Sequence, residues 1–346
     1  MGPFRQPDQS IDGQNADPRA ARLEAGSRPS GRSLFVIVTV TPAPAIDWTV
    51  AVGTMDLGGV NRGQTIAREP SGKGVNVTAA LNRSGVPSVA IVPVGGSSGD
   101  LFKSLSADEG FSLHAVDISA DLRINVTVRE DSGRDTKVNL PGAAMTDDEV
   151  EQMVLAVQGL LGQAHTLVIA GSVPEGVPNS LYPRLVRTGR EAGVRVVLDT
   201  SGPAFTEGLA AQPTLIKPNH HELGHEVGRQ MLTLGDVVEA CREIRQRGIA
   251  QVLASLGASG AYYQDDEHSL YGSVTGVTPV NSVGAGDGLL AGFIADPTDQ
   301  RASLERALVW GASAVQSPTT FFTVSESLFD GVSVSDTFDL DMPLRD

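Results

Sequence analysis

Six short apolar runs, separated by stretches with helical periodicity, constrain this chain more than any other feature of its 346 residues. Leu34 to Val40 is a continuous run, as expected of a strand covered on both faces. Comparable runs follow at Val89 to Val94, Thr166 to Ala170, Val194 to Asp199, Thr214 to Lys217 and Gln251 to Ser255. Helical patterns lie at Val75 to Arg83, Thr146 to Leu161, Ser180 to Ala192, Asn219 to Glu226, Leu234 to Arg247 and Ala302 to Gln316. This alternation predicts the α/β class: a doubly wound, mostly parallel sheet flanked by helices.

Two stretches break the alternation. Residues 48–70 and 122–140 contain short β-like pieces, glycines and a turn at Asp131-Ser132-Gly133, with no helix between them. They predict a small antiparallel β lid over a site. Residues 1–33 lack apolar periodicity and are expected to be a disordered extension, and residues 331–346 an acidic, poorly ordered tail. The main domain should therefore span 34–330.

A formal charge of −15 argues against nucleic acid or an anionic membrane as partner. The one cysteine, Cys241, excludes an internal disulfide and is expected to be half-buried in a helix. No apolar run reaches membrane-spanning length, and the N-terminus lacks a secretory core, so a soluble, cytoplasmic protein is expected.

The chemistry concentrates near the C-terminal end. Val283-Gly284-Ala285-Gly286-Asp287 opens an apolar helix. Amides at a helix start have no intrahelical partner and lie at the positive end of the dipole, so Gly284, Ala285 and Gly286 suit an anion. An acid beside an anion site makes sense where a proton must be removed, which points to phosphoryl transfer with Asp287 as base. The alternative is a glycine turn with a first-turn acid.

Gly72-Lys73-Gly74, with Asn76 close behind, opens another helix and also favours an anion. It is not a Walker A loop, which needs glycine at Ala67 and Ser or Thr at Gly74. Asp47 follows the first strand, at the edge where open α/β sheets bind ligands; a solvated loop acid is its alternative. Ser255, Gly257 and Gly260 mark a turn that either approaches a flat or phosphorylated ligand or makes a hairpin.

Asn219 to Glu222 has the spacing of a capping box. The same stretch contains His221-Glu222-Leu223-Gly224-His225, the H-E-x-x-H pattern of zinc proteases. Met231 stands where a third metzincin histidine would be, and Gly224 would weaken the ligand-bearing helix by about 1 kcal/mol relative to alanine.

Together these residues resemble the ribokinase/PfkB family of sugar kinases, most closely its phosphosugar branch containing 1-phosphofructokinase and tagatose-6-phosphate kinase. The resemblance spans about Leu34 to Ser317. It implies a ribokinase-like fold, with Asp287 as catalytic base and Gly284 to Gly286 as anion hole. Asn219 and Glu222 would organise Mg²⁺ through water, which accounts for the H-E-x-x-H string without zinc. ATP would bind Lys217, Asn219, Ser255, Gly257, Gly260, Gly284 and Gly286. The sugar phosphate would meet Asp47, Gly72, Lys73, Asn76, Arg123, Asn125 and Ser172. Two positions depart from the family pattern: Ser71 replaces a usual glycine, and Ala43-Pro44-Ala45 stands where Asn-Pro-Ala is common.

The resemblance favours fructose 1-phosphate as substrate, then tagatose 6-phosphate and fructose 6-phosphate. A metalloprotease and a silent sugar-phosphate sensor are the rival classes; the sensor would need no base at Asp287. Open lid edges could pair with a second copy, giving a homodimer.

Overall fold

The computed structural model describes residues 36–345, so the expected N-terminal extension lies outside the described residues. Ten strands form the main sheet and four form a smaller one. The main sheet contains β1 (Val36–Val40), β4 (Ser88–Val94), β5 (Ser112–Asp117), β8 (Ala164–Ala170), β9 (Arg195–Asp199), β10 (Leu215–Ile216), β11 (Gln251–Ser255), β12 (Ala261–Gln264), β13 (Ser269–Val274) and β14 (Val332–Ser335). Their spatial order is β14-β13-β12-β11-β10-β9-β8-β1-β4-β5. The seven strands from β11 to β5 are parallel, and β12, β13 and β14 extend the edge antiparallel.

The apolar runs read as strands because alternate residues feed two cores. Val38, Leu167, Leu198 and Ile216 face one cluster; Ile37, Val168, Val197 and Leu215 face the other. The first cluster is closed by α3 (Asp147–Leu161), α4 (Leu181–Glu191), α5 (Pro203–Ala210), α6 (His220–Val227) and α7 (Leu234–Gln246). The second is closed by α1 (Lys73–Arg83), α8 (Ala285–Ile294) and α9 (Gln300–Gln316). Helix α2 (Gly96–Asp108) covers a third cluster with Phe102. Three of these helices begin with a capping box: Thr146 with Glu149, Asn219 with Glu222, and Thr233 with Asp236.

The strand order turns back between β1 and β8, because the chain first builds outward to β5 and then returns to β8. The carboxyl ends of β1, β8, β9, β10 and β11 therefore line one crevice, where doubly wound sheets bind ligands. Over it stands the four-stranded sheet, of order β3-β2-β6-β7, from β2 (Ala45–Val52), β3 (Gln64–Ser71), β6 (Arg123–Glu130) and β7 (Asp135–Val138). Its two hairpins are antiparallel as expected, and they are joined by a parallel pairing of β2 with β6.

Two expectations are corrected. Residues 331–345 do not form a loose tail: β14 completes the sheet edge, Phe338 packs against Tyr262 and Tyr271, and Leu344 N–H donates to Leu232 O at 2.9 Å. Apolar residues spaced among the acids supply these anchors. Cys241 is fully rather than half-buried, because α7 turns that face onto the sheet.

Candidate active site

Helix α8 begins at Gly284, whose φ of 79° is the left-handed conformation that glycine adopts without strain. No side chain caps this start. Gly288 N–H returns to Gly284 O and Ala285 N–H reaches Ser282 O at 3.4 Å, which leaves the Gly286 and Asp287 amides without a backbone partner among the described residues. The Lys217 ammonium stands close by, about 3.4 Å from where a Cβ on Gly286 would lie.

Asp287 lies in the first turn of this helix and is buried. Its Oδ2 accepts a hydrogen bond from Asn76 Nδ2 at 2.7 Å, while Asn76 Oδ1 is buried without a partner. Burial and the nearby Asp199 carboxylate push the Asp287 carboxyl up to about 6, against Lys73, the Asn76 hydrogen bond and Lys217, which pull it down. A carboxylate at that value can accept a proton near neutral pH.

Asp199, the last residue of β9, was not singled out by sequence reasoning. It is fully buried and bridges Lys73 at 2.8 Å and Lys217 at 3.1 Å. Burial raises its carboxyl, but the two ammonium groups outweigh burial and hold it below the usual range. For Lys73, burial works to lower the ammonium pKa, yet the Asp199, Asp287 and Glu222 carboxylates outweigh it and raise the value. Lys73 therefore remains charged, and Asp199 fixes the spacing between the two lysines. The signal in sequence was an acid closing an apolar run, as with Asp47.

Asn219 is the N-cap of α6 and pairs in an isolated parallel bridge with Ser255, which brings this helix start to the end of β11. Glu222 Oε2 accepts from Asn219 N–H at 2.9 Å. The glutamate of the H-E-x-x-H string is thus a capping residue, and among the described residues no group of three His, Cys, Asp or Glu could hold a metal ion. One carboxylate beside a phosphate site still fits Mg²⁺, which keeps several waters and takes few protein ligands. Gly257 opens a 3₁₀ turn (Gly257–Ser259) one residue beyond Ser255, and Gly260 follows it.

The small sheet holds a second group. Asp47 and Asn125 are register neighbours on β2 and β6, and Asn125 Nδ2 donates to Asp47 Oδ1 at 2.8 Å. Asp47 lines a cavity of about 190 Å³ with Glu69, Arg129, Lys137, Asn281 and Val283. Arg123 is anchored by main chain: its terminal nitrogens each donate one hydrogen, to Leu140 O at 3.0 Å and Ala43 O at 2.9 Å, which leaves a second N–H on each, while Nε is buried without a partner. Gly72 is the N-cap of α1. Ser172 stands exposed on the turn after β8 and makes no side-chain hydrogen bond among the described residues, so it joins neither group.

The pfkB carbohydrate kinase model matches residues 43–324, a span that includes both groups. The chain belongs to the pfkB family of carbohydrate kinases. As a pfkB kinase it is a phosphotransferase that acts on a sugar hydroxyl and takes its phosphoryl group from ATP. It is similar to the 1-phosphofructokinase of Bacillus subtilis (strain 168), 33% identical over 81% of this chain and 91% of that one. It is also similar to the ATP-dependent 6-phosphofructokinase isozyme 2 of Escherichia coli (strain K12), 34% identical over 82% and 92%. The crystal structure of Escherichia coli phosphofructokinase-2 in complex with potassium superposes with a TM-score of 0.81, at 30% identity over 86% of this chain and 98% of that one.

Proposed function

We propose that this pfkB kinase phosphorylates fructose 1-phosphate on its free primary hydroxyl, giving fructose 1,6-bisphosphate. The observation that carries this reading is the buried Asp287 carboxylate set beside the Gly286 and Asp287 amides and the Lys217 ammonium. Asp287 takes the hydroxyl proton as the sugar oxygen bonds to the γ-phosphorus, and the bond to the β-phosphate oxygen breaks to release ADP. The amides and Lys217 stabilise charge on the transferring group. Asn76 orients the base through Nδ2 and offers Oδ1 to a substrate hydroxyl. Mg²⁺ bound through Glu222 and water would neutralise charge on the nucleotide phosphates.

Asp47 and Asn125 supply acceptors and donors for ring hydroxyls under the small sheet. Arg123 and Lys73 are the cations for the phosphate already on the sugar. Fructose 6-phosphate is the competing substrate, because both relatives are equally similar and turning a fructofuranose ring over interchanges its two ends. Discrimination then depends on which ring hydroxyls leave buried polar groups unpaired. An ADP-release assay across fructose 1-phosphate, fructose 6-phosphate, tagatose 6-phosphate and ribose tests the assignment. The highest kcat/KM should be with fructose 1-phosphate; a higher value with any other sugar overturns it.

The small sheet also favours a homodimer. Its edges β3 and β7 are open, and Leu57, Val60, Ile66, Val138 and Leu140 are exposed on or beside it. Sedimentation of the purified protein as a monomer would exclude this. No described helix is long and apolar enough to cross a membrane, and we place the reaction in the cytoplasm, where ATP and sugar phosphates coexist.

A further inference from the structure

The segment after the family match does something the match does not describe. From Phe338 onward the chain runs back across the molecule to the loop assigned to the nucleotide. Leu234 N–H donates to Met342 O at 3.0 Å, Gly235 N–H to Leu340 O at 2.8 Å and Leu344 N–H to Leu232 O at 2.9 Å, and Thr233 bridges Pro343 antiparallel. Phe338, Met342 and Leu344 pack against the larger core cluster. At the far end, Arg345 N–H donates to Ser259 Oγ at 2.8 Å, and Arg345 O lies about 3.6 Å from where a Cβ on Gly257 would be.

Ser259 is the buried hinge of the 3₁₀ turn between Gly257 and Gly260. Its carbonyl accepts from Tyr271 Oη at 2.8 Å, and its hydroxyl oxygen accepts from Arg345. Both bonds hold the turn from behind. A three-residue turn that begins with Gly257 and is followed by Gly260 has little stiffness of its own, since glycine restricts φ and ψ least. Anchoring from outside removes conformations that a ligand would otherwise have to remove on binding, which improves affinity without adding a contact.

We propose that residues 338–345 form a strap that fixes the nucleotide loop, with Arg345 as its positioning residue, so that ATP affinity depends on this segment while sugar affinity does not. The proposal rests on the kinase reading, in particular on ATP lying along Ser255 to Gly260.

The test compares the full chain with a form lacking residues 339–346, which retains Phe338 and its ring contacts. Full-length Arg345→Pro, which removes the N–H donor together with the guanidinium, is the second variant. Truncation should raise the ATP KM about tenfold and Arg345→Pro about threefold, with kcat and the sugar-phosphate KM within twofold. Calorimetric titration with ATP alone should show the same weakening, and hydrogen exchange at Ser259 and Gly260 should speed up in both variants. An unchanged ATP affinity, or equal rises in both KM values, overturns the strap. If truncation prevents folding, Arg345→Pro decides by the same criteria. Absence of turnover on every sugar phosphate, with ATP titration still responding to the variants, would sink the substrate assignment and leave the strap standing.

Discussion

Asn76, in the first turn of α1, donates to Asp287, in the first turn of α8, across 2.7 Å and 211 positions of sequence. Two helix starts are thereby locked face to face, with the acid that we propose as the base between them.

Replacing Asp287 by Asn keeps the shape and the bond from Asn76 but removes the proton acceptor. The kcat should fall about 10²–10⁴-fold. ATP binding should persist when measured by calorimetry. Turnover within tenfold of the parent would remove Asp287 from its role.

The same acid sets an acid limb in the pH profile. Its folded value, about 6, lies above the ordinary aspartate value of 3.8, and only the deprotonated form accepts a proton. The kcat should therefore rise with pH through about 6. The stability contribution has the opposite sign: between pH 4 and 6 the folded state binds the proton that the unfolded state has released, so stability from this group falls as pH rises. Asp287→Asn should thus unfold at a higher temperature than the parent at pH 7.5, with the difference shrinking toward pH 4. Calorimetric melts at both pH values check it.

Asp199→Asn would leave the buried Lys217 without its counter-charge and facing Lys73. Breaking a buried pair costs about 3–5 kcal/mol, and the half-exposed Lys73 places this site at the lower end. Urea denaturation measures that loss. Removing this negative charge should also lower the Asp287 value, moving the acid limb of the rate profile to lower pH. An unmoved limb would show that the two carboxylates do not interact.

Gly260→Ala should cost about 1–3 kcal/mol. Its φ is 95°, and an added Cβ would sit 2.1 Å from Gly272 O, a main-chain atom that cannot swing aside. Denaturation midpoints and the ATP KM should both worsen, and a stability equal to the parent would contradict the geometry.

The central strands were legible because they are covered on both faces, as in Val36 to Val40 and Thr166 to Ala170, where burial demands continuous apolar residues. The β12–β13 hairpin was not, since Tyr262 and Tyr263 are both buried and the alternation expected of an edge is lost. Helix α5 is only eight residues, too short for a periodic pattern to show. At the site, Asp287, Asn76 and Lys73 were marked by local glycine and helix-start patterns. Asp199 was not, because its partner Lys73 lies 126 positions away and only the sheet brings them together. Arg123 was visible as a cation, but its bonds to Ala43 O and Leu140 O depend on loop geometry that no spacing encodes.

The parallel pairing of β2 with β6 orders events in time. Antiparallel neighbours can zip from a short turn, whereas Asp47 and Asn125 meet only after β4, α2 and β5 have been laid down between them. Such distant pairings are slow because loop closure must precede any contact. The roof over the crevice should therefore mature late in folding, behind a first half of the central sheet that is already assembled.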